Sequence, residues 1–383
     1  MKITIAPDSL KESLTSSQAA QAIARGLRMA DPAAQLVLIP MADGGEGTVE
    51  AVVAATSGRL CRAEVSGPLG RPVQARWGIC GDKTTAVVEM AEASGLELLE
   101  PAERDPMLTS TRGTGELIRE ALDSAAQRIV VGIGGSATVD GGTGMAAALG
   151  VRFLDAAGRE VADCRGGRLR EVQDVDMSGL DPRLANVRIA VASDVTNPLT
   201  GPDGAAHTYG PQKGATPQQV LELEQGLASL AEVIRRRLGL QVADLPGAGA
   251  AGGLGAGLVA FLGARMHSGV ETVMEAVRLR ERMEGSDLLF TAEGRIDGQS
   301  VFGKTIAGVA AAAAEQGIPV VALAGSLGAD YESIYSCGVC AVFPIVDGPM
   351  DLRAALEGAD RLLERSAASV LRLWRAAGGT GGG

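Results

Sequence analysis

Residues 35–53 read QLVLIPMADGGEGTVEAVV, and the order of residue types in this stretch decides the fold class. Leu36 to Ile39 is a continuous apolar run of the length of a buried strand. Asp43-Gly-Gly-Glu-Gly47 interrupts it with residues suited to a sharp turn, and Val49, Val52 and Val53 then return at helical spacing. Strand, polar glycine turn and helix form the repeating unit of a parallel sheet covered by helices. The preceding residues read the same way. Ile3 and Ile5 lie in a short strand, Thr15 and Gln18 make a capping box, and Ala19, Ile23, Leu27 and Ala30 keep the helical period.

Working outward, the pattern changes once and then returns. Residues 60–90 hold three strand-like runs separated by Gly67-Pro68, Gly70 and Gly81, with no helix between them. Helix (114–126), strand (129–133) and helix (144–149) follow, then a strand at 188–192 and a charged amphipathic helix at 216–238. Leu288 to Thr291, Val320 to Ala324 and Val339 to Ile345 read as buried strands alternating with helices at 304–316 and 351–376. The expectation is an α/β protein in which one domain is built from both chain ends and the other is inserted.

Composition narrows the function. The 383 residues carry 35 Lys+Arg against 46 Asp+Glu, a net charge of −11, with 3% aromatics. An acidic chain with so few stacking rings and no Lys/Arg-rich block is a poor nucleic-acid binder. The start, MKITIAPDSLKES, has five residues of strand pattern before Pro7 and Asp8, too few for the apolar segment of a signal peptide. Pro246 to Ala264 is an uncharged stretch of 19 residues, but seven are glycine, so it reads as a loop entering a helix. The sequence therefore predicts a cytoplasmic protein that acts on small molecules, with neither membrane nor nucleic acid as partner.

Five cysteines (61, 80, 164, 337 and 340) argue against a disulfide framework. Cys337-Gly-Val-Cys340 has no second CxxC, and the chain has only His207 and His267, so the pair reads as buried thiols leading into a strand. Acid–base chemistry then falls to carboxylates.

The 53 glycines, roughly twice the ordinary share, cluster in turns. Residues 128–155 pass the dinucleotide-binding pattern through Gly132-x-Gly134-x-x-Ala137 and Asp155, which supports an NAD-dependent oxidoreductase as the alternative reading. Asp140-Gly-Gly142 falls where that fingerprint needs an established helix, so a phosphate loop of another kind suits the stretch better. Gly298-Gln-Ser-Val-Phe-Gly303-Lys304-Thr305 satisfies GxxxxGK[ST], but Glu293-Gly-Arg-Ile-Asp297 separates it from the preceding apolar strand. Lys304 opens a helix and is placed to meet an anion. Carboxylates recur where strands end: Asp8, Asp43 and Glu46, Asp194, Glu293 and Asp297. Ligands of open α/β sheets bind there, and Mg²⁺–nucleotide chemistry needs acids beside phosphate loops. Ser9, Lys11 and Arg295 lie next to these acids and suit an anionic acceptor.

Taken together, IAPDSLKESL (5–14), ADGGEGT (42–48), GIGGSATVDGGTGM (132–145), SDVTNPLTGPDGAA (193–206), YGPQKGAT (209–216), GAAGGLGAG (249–257) and EGRIDGQSVFGKT (293–305) resemble the bacterial glycerate kinase family of the first type. The chain departs from the family pattern at Leu10, where an aromatic residue is usual, and at Val139, where Asn is frequent. Both lie beside ligand loops. The resemblance implies two α/β domains: a Rossmann-like parallel-sheet domain from 1–60 and 285–383, and an inserted domain with a mixed sheet over 61–284. It also implies phosphorylation of D-glycerate by ATP with Mg²⁺. The product is commonly 2-phosphoglycerate, with 3-phosphoglycerate as the alternative. On this reading the backbone at Gly134, Gly135 and Ser136 and at Gly252, Gly253 and Gly255 cradles the ATP phosphates. Asp43 and Asp194 serve as metal ligands and orient the glycerate hydroxyl. Lys11 and Arg295 hold the glycerate carboxylate, with Ser9, Asp297 and Lys304 as further substrate contacts.

Overall fold

In the computed structural model, residues 1–301 and 304–378 are described. Phe302 and Gly303 of the GxxxxGK[ST] motif lie outside the described residues. The strands, in chain order, are β1 (Lys2–Ile5), β2 (Gln35–Leu38), β3 (Arg59–Ser66), β4 (Pro72–Ile79), β5 (Thr85–Glu89), β6 (Arg128–Gly132), β7 (Arg152–Leu154), β8 (Asp174–Asp176), β9 (Arg188–Ala192), β10 (Arg265–His267), β11 (Leu288–Ile296), β12 (Val320–Leu327) and β13 (Val339–Pro344). The chain divides into two compact units.

The first unit comprises residues 1–43, 50–58 and 273–383. Its sheet has the order β13-β12-β11-β1-β2, parallel throughout. Ile3, Ile5, Leu288, Phe290 and Leu323 are wholly buried, as strands covered on both faces must be. Ile23 and Leu27 of helix Ser16–Ala30 and Leu363 and Ala367 of helix Ala359–Ala376 complete this core. Thr15 and Gln18 close the capping box that starts the first of these helices. The two helices touch at Gly26, where a Cβ would lie 2.0 Å from the Glu364 carbonyl oxygen.

Two expectations are corrected in this unit. β11 runs on through Glu293-Gly-Arg-Ile296, because Arg295 pairs with Ser326 and Ile296 with Leu327 on β12. The single helix expected at 351–376 is two, Leu352–Glu357 and Ala359–Ala376, parted at Gly358.

The second unit comprises residues 44–49 and 59–272. Its sheet has the order β10-β9-β6-β5-β4-β3 and is mixed: β10, β9, β6 and β5 are parallel, whereas β5-β4-β3 is an antiparallel meander. That meander accounts for the three helix-free runs at 60–90. Ala86, Val88, Ile129 and Val131 form the centre of its core with Leu117 and Ile118 of helix Arg112–Asp123, and Phe153 meets Phe261 edge-on at 5.4 Å. Among the described residues, no helix is long and apolar enough to cross a membrane.

Candidate active site

In the second unit the site is built at the carboxyl ends of three adjacent parallel strands. Glu89 ends β5, Gly132 ends β6 and Ala192 ends β9, with Glu89 in register with Gly132 and Gly132 with Ala192. The Gly44–Gly47 turn packs onto this edge. A Cβ on Gly132 would lie 2.6 Å from the Gly44 carbonyl oxygen, and one on Gly44 would lie 2.8 Å from the Ala192 Cβ. Gly44 also has φ +90, so close approach and backbone conformation both require glycine there. Glu89 fixes the turn: its carboxylate accepts the Val49 amide at 2.6 Å and the Gly47 amide at 3.2 Å. Burial pushes the Glu89 carboxyl up to about 7 despite these bonds.

The 133–144 loop lies on the same edge. Gly134 and Gly135 are exposed, and Gly135 adopts φ +71. Among the described residues, the amides of Gly134, Gly135 and Ser136 donate to no protein acceptor, whereas the Ala137 amide is tied to the Ser94 carbonyl at 2.9 Å. Successive amides in such a turn are anion donors. Beyond them the loop is anchored by Asp140. Its carboxylate accepts the Thr111 amide at 2.7 Å, the Thr111 hydroxyl at 2.8 Å, the Gly142 amide at 3.0 Å and the Gly144 amide at 3.3 Å. Burial raises its pKa. Lys213 anchors the loop from the other side, donating to the Ser136 hydroxyl at 2.6 Å and the Thr138 carbonyl at 2.8 Å.

This geometry counts against the dinucleotide fingerprint. The helix after β6 starts only at Thr143, and Asp155 follows β7, which pairs antiparallel with β8 and lies outside the parallel sheet. Gly252, Gly253 and Gly255 are buried at the start of helix Ala250–Leu262. Ala251, Gly252 and Gly253 are left-handed, and a Cβ on Gly252 would lie 1.9 Å from the Thr138 carbonyl oxygen. Gly252 and Gly253 carry the helix against the back of the 138–142 loop, whereas Gly255 lets it close on the Gly247 carbonyl oxygen. Asp194 follows β9 and accepts the Gly269 amide at 2.9 Å.

In the first unit, the carboxyl ends of β1 and β11 bring several predicted residues together. Asp8 accepts the Ser9 amide at 2.6 Å and the Thr305 hydroxyl at 2.5 Å. Burial, with the charge of Asp43 adding to it, pushes the Asp8 carboxyl up to about 6. Glu293 receives the Lys304 ammonium at 3.1 Å on Oε1, while its buried Oε2 has no hydrogen-bond partner among the described residues. Burial pushes this acid up to about 7; Lys304 opposes the shift, and Asp8 and Asp43 add to it. The Lys11 backbone borders Gly294. Arg295 donates to Asp297 at 3.1 Å in an exposed pair; the Gln299 amide first, and then Arg295, hold the Asp297 carboxyl below its usual range. Among the described residues, no three His, Cys, Asp or Glu side chains are grouped as a metal cage.

Sequence reasoning assigned no role to Glu89 or Lys213. A charged residue closing the otherwise apolar run Thr-Ala-Val-Val-Glu89 was a usable signal. Lys213 stands between Gly210 and Gly214, and nothing in that spacing announces that it is buried. The cysteine expectation is corrected: Cys337 is half-buried and Cys340 is exposed on β13.

Carboxylates and open glycine turns at the carboxyl ends of parallel strands are the features of an α/β enzyme that handles phosphorylated small molecules. The profile of the glycerate kinase family matches residues 3–375, and the chain belongs to that family of phosphotransferases. It is 53% identical to the glycerate 2-kinase of Escherichia coli K12 over 94% of both chains. It is 51% identical to a glycerate kinase of Halalkalibacterium halodurans over 96% of this chain and 97% of that one. A solved glycerate kinase 2 structure from Salmonella typhimurium LT2 superposes with a TM-score of 0.91 at 48% identity, covering 99% of this chain and all of the other.

Proposed function

We propose that this enzyme transfers the γ-phosphoryl group of ATP to the 2-hydroxyl of D-glycerate, giving 2-phosphoglycerate and ADP. The observation that carries the reading is the near-full-length likeness to a protein named glycerate 2-kinase. The bond-free amides of Gly134 to Ser136 support it, since they suit nucleotide phosphates. Gly252 and Gly253 contribute from behind, by letting the helix at 250–262 brace that loop, whereas Gly255 packs against Gly247.

We assign Asp43 and Asp194 to Mg²⁺ and to the reacting hydroxyl. The donor chemistry fits: Mg²⁺ takes one or two carboxylates and fills its remaining positions with water and phosphate oxygens, so no closed protein cage is required. When bound, the ion would neutralise charge on the transferring phosphate. The hydroxyl proton passes to a carboxylate as the oxygen attacks phosphorus and the bond to ADP breaks. Lys11 and Arg295 serve the glycerate carboxylate, Arg by its planar fork, with Ser9, Asp297 and Lys304 beside them. Positioning and charge neutralisation supply most of such catalysis.

The test is ADP formation by purified protein with MgATP. ADP that appears only when D-glycerate is added supports the reading. ADP production unaffected by D-glycerate, or absent, rejects it.

A further inference from the structure

Lys213 is 2% exposed, yet among the described residues its hydrogen-bond partners are a hydroxyl and a carbonyl, neither of them charged. Burying an ammonium in this way is costly, and an apolar side chain of similar volume would fill the space without that cost. The lysine ends the 3-10 helix Pro211–Lys213, and the Gly214 that caps it has φ +95, with a Cβ position only 2.0 Å from the Arg104 carbonyl oxygen, so the backbone beside Lys213 is fixed. Its side chain passes the Tyr209 ring, with Nζ 5.9 Å from the ring centroid. Its two hydrogen bonds reach the hydroxyl of Ser136, whose amide is the last of the three open ones, and the carbonyl of Thr138 two residues on. The Thr138 hydroxyl in the same stretch is buried and has no hydrogen-bond partner among the described residues.

We propose that Lys213 is a positioning residue for the nucleotide: it pins the 134–138 turn from within the protein and places a positive charge behind the anion those amides receive. This inference rests on the kinase reading above. The two anchors of the loop then divide the work. Asp140 holds the far side through backbone amides and the Thr111 hydroxyl, leaving no amide of 134–136 engaged. Lys213 holds the near side through acceptors alone, so the amide donors of the turn stay available to a phosphate. Desolvation brings the Lys213 pKa down to about 7, with Asp140 opposing the shift. Asp140 from the loop and Tyr209 from helix Ala205–Tyr209 are the titratable groups facing it. The charge behind the turn is therefore present below about pH 7 and fades above it.

Steady-state kinetics of the full-length enzyme, varying MgATP and D-glycerate separately from pH 7 to 9, tests this with wild type, Lys213→Met and Ser136→Ala. The expected result for Lys213→Met is a KM for MgATP raised on the order of tenfold at pH 7, the size of one lost charge-assisted contact. The KM for D-glycerate stays unchanged. The wild-type KM for MgATP climbs toward the variant's value as pH rises, while that of the variant stays flat. If Lys213→Met does not fold, Ser136→Ala decides: a raised KM for MgATP alone supports the proposal and an unchanged one overturns it. An active wild type with both variants unchanged, or with both substrates affected equally, overturns this proposal and leaves the kinase reading intact. A wild type that forms no ADP overturns the kinase reading, and this proposal falls with it.

Discussion

Glu89 Oε1 lies 2.6 Å from the Val49 amide, so the acid that ends β5 caps the helix that follows the glycine turn at 44–47. The second oxygen takes the Gly47 amide, and one buried side chain thereby holds both ends of the turn's exit. Glu89→Gln keeps one carbonyl acceptor and faces an NH₂ group toward the other amide. We expect a loss of about 1–3 kcal/mol, the range for stranding a buried polar group. A lowered urea midpoint with unchanged slope is the readout. An unchanged midpoint would mean that these amides do not depend on Glu89.

The glycines of the two loops separate by what surrounds them. Gly252→Ala forces a Cβ to 1.9 Å from the Thr138 carbonyl oxygen at φ +67, and the expected outcome is loss of more than about 2 kcal/mol or of soluble protein. Gly134→Ala brings a Cβ to 3.1 Å from the Gly45 Cα and 4.0 Å from the Gly44 carbonyl oxygen, on an exposed loop. It should melt close to wild type while its affinity for MgATP falls. Thermal melts with and without MgATP distinguish the two cases.

The raised carboxyl of Glu293 makes stability depend on pH in a definite direction. Its folded pKa, about 7, exceeds the ordinary 4.5, so folding favours the protonated acid. That contribution is complete below the unfolded-state value and is lost as pH rises through about 7. Ligand-free protein should lose stability between about pH 5 and pH 8, with Glu293 responsible for on the order of 3 kcal/mol. Glu293→Gln should flatten this part of the profile in urea titrations. A variant profile parallel to wild type would show that Glu293 titrates normally.

Asp194→Asn retains a side-chain oxygen able to accept the Gly269 amide, so the fold should persist. Removing the charge should lower kcat on the order of 10²- to 10³-fold, as losses of preorganised electrostatic groups do. Near-normal kcat in a folded variant would remove Asp194 from the chemistry.

Much of this was legible in the sequence because it is local. The capping box at Thr15, the strand–turn–helix units and the acids at strand ends depend on neighbours along the chain. Gly358 divides the last helix, where periodicity alone suggested continuity. The extension of β11 through Glu293 and Arg295 was hidden, because polar residues there pair along β12 beyond the end of the apolar run. Cys340 is exposed where the register of β13 shifts: Val339 pairs with Val320 and Ala341 with Val321, which leaves Cys340 as the extra residue of a bulge. Lys213 reaches Ser136 across 77 positions of sequence, and that contact becomes visible only when the loop and its anchor are seen together.

The most direct test of the central claim couples the reaction to enolase. Purified enzyme is mixed with MgATP, D-glycerate and enolase, without phosphoglycerate mutase, and phosphoenolpyruvate is followed alongside ADP. Phosphoenolpyruvate and ADP should appear together at equal rates, because the 2-hydroxyl carries the phosphate. ADP accompanied by phosphoenolpyruvate only after mutase is added would place the phosphate on the 3-hydroxyl and contradict it.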